Sequence, residues 1–78
     1  MWHLKTRMGT FWVVETDEPN HYCLGVDNDK LGDYEDAELA AKDVLEQSTG
    51  YFEWDCQSRV KVPEDLAHWT KGQPDGWQ

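Results

Sequence analysis

Apolar and polar side chains alternate over residues 2–7, with Trp2, Leu4 and Thr6 on one side of an extended chain and His3, Lys5 and Arg7 on the other. That period of two predicts a half-buried strand. Gly9, in Met8-Gly9-Thr10, predicts a tight turn. Residues 10–16 are aromatic and β-branched, which suits a second strand. Both of its faces are apolar, Phe11 and Val13 on one and Trp12 and Val14 on the other, as expected of a central strand. After the turn cluster Asp17-Glu18-Pro19-Asn20, alternation returns over 21–26 with Tyr22, Leu24 and Val26 on one face. Three strands joined by short turns predict an antiparallel meander with the second strand in the middle.

Asp27-Asn28-Asp29-Lys30 is a further turn signal, and Leu31-Gly32-Asp33-Tyr34 has room for a short fourth strand. The period then changes. Asp36 is placed as an N-cap, and over about 37–48 the residues Ala37, Ala40, Ala41, Val44, Leu45 and Ser48 fall on one helical face, with Gly50 as the stop. Glu38, Lys42, Asp43 and Glu46 fall mostly on the other face. Residues 51–56 read either as another strand or as an aromatic loop. Val60-Lys61-Val62 reads as extended, and Pro63 followed by Glu64 and Asp65 opens a short helix ending near Trp69. The expected fold class is α+β: a three- to four-stranded antiparallel sheet packed by one main helix, plus a short C-terminal helix. One compact domain is expected over 1–70 and a flexible tail over 71–78.

Composition decides whether such a chain folds. It has 78 residues, of which 38% are hydrophobic and 29% charged, close to the disorder-prone corner. Five Trp, three Tyr and two Phe pull it back. Each ring buries on the order of 150–250 Å², so at about 25 cal/mol per Å² a few rings hold a small core. Trp2, Trp12, Trp54 and Trp69 are the expected buried rings, and Trp77 the expected exposed one. Cys23 and Cys56 are expected to be free thiols in the core, since nothing in the sequence sets a histidine beside either.

Charge narrows the function. The net charge is −9, which excludes a protein that holds nucleic acid through a basic footprint and disfavours anionic membrane surfaces. The longest apolar run, Phe11 to Val14, is too short to span a membrane, and the N-terminus lacks a signal-peptide layout, so a cytoplasmic protein is expected. The charge is uneven: residues 15–55 hold thirteen acids and two bases, a net of −11. The bland account is a solubilising surface. The sharper one is a carboxylate array, made of Glu15, Asp17, Glu18, Asp27, Asp29, Asp33, Glu35, Asp36, Glu38, Asp43 and Glu46, that docks on a basic protein partner. Acids two apart in extended chain lie roughly 6.5–7 Å apart, and acids three apart on a helix have Cβ atoms about 5–6 Å apart. Those spacings are of the order of phosphate spacing. In size and charge the chain resembles small phage inhibitors of restriction and CRISPR systems that mimic DNA. That resemblance implies an inhibitor of a nucleic-acid-binding complex. The alternative is a protein-interaction module with an aromatic hot spot.

The segment Trp2-His3-Leu4-Lys5-Thr6-Arg7-Met8-Gly9-Thr10-Phe11-Trp12 resembles the opening of a family of small uncharacterised bacterial proteins. So do Leu31-Gly32-Asp33-Tyr34, Ala40-Ala41-Lys42-Asp43-Val44, Thr49-Gly50 with Trp54-Asp55, and Pro63-Glu64-Asp65-Leu66 with Trp69. The resemblance implies one domain standing alone and carries no catalytic residues.

Residues 27–38 set Asp27, Asp29 and Asp33 at positions 1, 3 and 7 of a calcium loop, with Gly32 at 6 and Glu38 at 12. Leu31 fills position 5, where a ligand is needed, and the entering segment reads as a strand rather than a helix. Cysteine and histidine lack metal-ligand spacing, and no glycine-rich loop precedes a helix. A domain this small is expected to have little room for a deep pocket. The expectation is therefore a non-enzymatic protein with no cofactor and no metal.

Overall fold

The predicted alternation builds the sheet. The computed structural model describes residues 1–58 and 60–74. Strands β1 (Trp2–Thr6), β2 (Gly9–Glu15), β3 (Tyr22–Val26) and β4 (Asp29–Tyr34) form an antiparallel meander, and β5 (Thr70–Lys71) adds beside β1. The order β4-β3-β2-β1-β5 puts β2 at the centre, as its two apolar faces predict. The strand count is five, above the expected three or four. The added strand is only two residues long, too short for a periodic signal, and Gly72 extends it by donating its N–H to the Met1 carbonyl at 2.8 Å. Of the expected tail, Lys71 and Gly72 are thus tied to β1, while Trp77 lies outside the described residues.

Register assigns the faces. Leu4 pairs with Phe11, Phe11 with Val26 and Val13 with Leu24, so these side chains share one face. Helix α1 (Ala37–Glu46) covers that face with Ala37, Ala40, Ala41 and Val44, all buried. Trp54, Leu66 and Trp69 complete the core. Asp36 is the N-cap, its carboxylate accepting from the Glu38 N–H at 3.0 Å. The helix stops before the expected residue 48, because Gln47 adopts a left-handed conformation (φ 59°). Its side-chain amide holds the carbonyls of Trp54 and Gln57.

Residues 51–56 are neither strand nor loop. Phe52–Asp55 form a one-turn helix, α2. The Asp55 carboxylate folds back onto the Thr49 N–H at 3.1 Å, the Thr49 hydroxyl at 2.8 Å and the Gly50 N–H at 2.8 Å. This local closure overrides the short alternation. Leu66–His68 form a 3₁₀ turn where the short C-terminal helix is expected. The second face of the sheet, with Trp12, Val14 and Cys23, is half-buried. There the Trp12 indole lies across β3 so closely that a Cβ at Gly25 would overlap it.

Candidate functional site

The eleven expected carboxylates divide by what they do. Five serve the fold. Asp27, at the β3–β4 turn in a left-handed conformation (φ 50°), accepts the Thr10 N–H at 3.0 Å. Asp33 takes Lys30 Nζ at 2.9 Å, His21 Nε2 at 3.1 Å and the Cys23 thiol at 3.3 Å. Asp36 caps α1, Glu38 accepts the Leu66 N–H at 3.3 Å, and Asp43 accepts the Tyr34 hydroxyl at 2.7 Å. The other six, Glu15, Asp17, Glu18, Asp29, Glu35 and Glu46, are exposed. The ion pairs among the described residues, His21–Asp33, Lys30–Asp33 and His68–Asp65, involve none of the six.

The six do not form one patch. Glu15 pairs with Tyr22 and Tyr22 with Tyr34, so Glu15 and the Tyr34-Glu35 step sit at the same end of the sheet. Two strand spacings put them roughly 10 Å apart. The 16–21 loop carries Asp17 and Glu18 at that end. It is fixed by Thr16, whose N–H reaches the His21 carbonyl at 3.1 Å and whose hydroxyl meets His21 Nδ1 at 2.7 Å and accepts the Glu18 N–H at 3.2 Å. Asp29 pairs with Val26 at the opposite end, roughly 13 Å along β3 from Tyr22. Glu46 lies at the far end of α1. Four carboxylates, Glu15, Asp17, Glu18 and Glu35, therefore gather at one rim, two of them on a loop held by its own threonine.

Beside that rim lies a polar cluster on the second face of the sheet. Lys30 and the Cys23 thiol hold the Asp33 carboxyl below the usual carboxylate range, and Lys30 is pushed up in return. Partial burial and the bond to Asp33 raise the Cys23 thiol above its ordinary value. A raised thiol is the reverse of what a nucleophilic thiolate needs, and the shared Asp33 carboxylate ties Cys23 and His21 to β4. Neither cysteine is in the core as expected: Cys23 is half-buried on the second face and Cys56 is exposed at the end of α2. The calcium reading meets a geometric obstacle. Asp29 to Tyr34 form strand β4, with a register irregularity at Leu31, so the carboxylates of residues 27–38 are spread over a turn, a strand and a helix start. Among the described residues no three His, Cys, Asp or Glu side chains converge on a common point.

Among known proteins, no family model, no curated protein and no solved structure matches the chain. No helix among the described residues is long and apolar enough to cross a membrane.

Proposed function

We propose that this chain is a non-enzymatic binding protein whose acidic sheet end, carrying Glu15, Asp17, Glu18 and Glu35, docks on the basic surface of a partner protein. The partner is of the kind that holds nucleic acid, and the chain inhibits it by occupying sites built for phosphate, as the small DNA-mimicking phage inhibitors do. One observation carries the reading: four exposed carboxylates share one end of a five-stranded sheet, and none of the ion pairs among the described residues involves them. Uncompensated like charge costs self-repulsion, and a basic partner relieves it. The attraction is fast and salt-sensitive.

The test is capture of proteins on the immobilised chain at low salt, followed by elution with a DNA duplex. The expected result is DNA-eluted, nucleic-acid-binding partners whose capture drops at least about tenfold in the E15Q/D17N/E18Q/E35Q variant. The D29N/E46Q variant should retain it. Equal capture by both variants overturns the reading.

Phe52 supports a second reading. Its ring is 73% exposed on α2, and exposed aromatics anchor interfaces. Capture that survives high salt but is lost in Phe52→Ala would identify this aromatic module instead.

A further inference from the structure

The bases are as unevenly placed as the acids. β5 covers β1 only at Trp2 and His3, so the outer edge of β1 from Leu4 onward faces the segment 60–62 across a cleft. The cleft measures about 670 Å³, inside the range of about 300–1,000 Å³ typical of small-molecule sites. Leu4, Met8, Trp54, Val60 and Val62 give the cleft an apolar lining. The Trp54 Nε1–H is held by the Val44 carbonyl at 2.9 Å, so the ring contributes only carbon surface. The neutral polar groups are also occupied: the Thr6 hydroxyl donates to the Gly9 carbonyl, and the Gln57 amide donates to the Glu53 carbonyl.

The charge at the cleft is positive. Lys5, Arg7 and Lys61 line the cleft and are exposed, and no acid is among the described residues lining it. Three of the seven Lys and Arg residues thus meet at one place in a chain of net charge −9. We infer that this cleft binds a small amphipathic anion, an apolar body carrying a single carboxylate, with the body against the half-buried Leu4, Met8 and Val62 and the head toward Arg7 and Lys61. The site is separate from the acidic end, and its occupancy does not depend on that end having a partner.

The overall charge and the local charge make opposite predictions, which gives the test its edge. Decanoate and decyltrimethylammonium have matched tails and opposite heads. Long-range attraction to a chain of net charge −9 favours the cation. The cleft favours the anion. Calorimetry below micelle formation should show decanoate binding at least about tenfold more tightly than decyltrimethylammonium. Backbone resonances of Met8 and Val62 should move with decanoate. Lys61→Glu and Arg7→Glu, both at exposed positions, should each weaken decanoate severalfold while leaving the thermal midpoint in place. Equal or tighter binding of the cation overturns the assignment, as do shifts mapping elsewhere. So does self-association abolished by Lys61→Glu with no decanoate binding, because the occupant is then a second copy of the chain.

Discussion

Trp54 and Trp69 are equally buried, at 4% and 5% exposure, yet differ in one hydrogen bond. Trp54 donates to the Val44 carbonyl at 2.9 Å and packs edge-on against Phe11 with ring centroids 4.8 Å apart. The Trp69 Nε1–H is buried with no partner among the described residues. A buried donor without an acceptor carries its desolvation cost uncompensated. Trp54→Phe loses ring surface and the shorter of two bonds to the Val44 carbonyl, which keeps only the Gln47 N–H at 3.3 Å. Trp69→Phe loses similar surface but removes an unsatisfied group. The first substitution should cost about 1–2 kcal/mol more than the second in urea denaturation; equal costs would mean that the Trp54 bond contributes nothing net. The burial of both rings was legible in the sequence, whereas the partner of each N–H depends on the path of a distant helix. The cysteines were misread for the same reason. A small apolar side chain suits a core, but Cys23 falls at an outward register position beside Asp33 and Cys56 follows a helix the alternation did not reveal. Gly25 did carry a signal, since glycine inside a strand marks close approach, and Trp12 fills that space.

Elements with a repeated period were readable, and those closed by one side chain were not. The first three strands and α1 each repeat their pattern over five or more residues, whereas β4 starts at Asp29, inside the expected turn, and shows no alternation. The α2 turn rests on Asp55 reaching back to Thr49 and Gly50, a contact with no periodicity. A comparable single contact joins β4 to α1: the Tyr34 hydroxyl donates to Asp43 at 2.7 Å. Burial first, and the bond to Asp43 second, push the Tyr34 phenol above its ordinary value near 10. Folding therefore favours the protonated phenol. Its contribution is fully present below the unfolded pKa and is lost as pH rises through the folded one, so stability should decline with pH above about 10. Phenolate absorbance should show Tyr34 ionising only at higher pH than an ordinary tyrosine. Tyr34→Phe should flatten the alkaline slope of stability. An unchanged slope in that variant would place the alkaline loss elsewhere.

At the scale of the whole molecule, the charge total conceals its arrangement. The eleven carboxylates lie close in sequence, but the sheet topology sends Asp27 and Asp29 to one end and Glu15, Asp17, Glu18 and Glu35 to the other. The expected meander already implies that separation, because neighbouring strands reverse direction at each turn; counting acids along the chain hides it. Sequence position could not show which acids the fold uses, since Asp36 as a cap is a local matter while Glu38 on Leu66 spans 28 residues. The crowded end makes a prediction about stability itself. With a net charge of −9 and exposed carboxylates gathered outside the ion pairs of the described residues, repulsion should weaken the native state at low ionic strength. A Debye length of about 30 Å at 0.01 M falls to about 8 Å at 0.15 M, shorter than the roughly 10 Å between the Glu15 and Glu35 strands. Raising salt over that range should lift the thermal midpoint by a few degrees, of the order expected for about 0.5–1 kcal/mol in a domain this small. In the E15Q/D17N/E18Q/E35Q variant the midpoint should already be higher at low salt and gain less on salt addition. If instead both proteins respond to salt equally, the repulsion is spread over the whole surface, and the acidic end holds no stored charge for a partner to relieve.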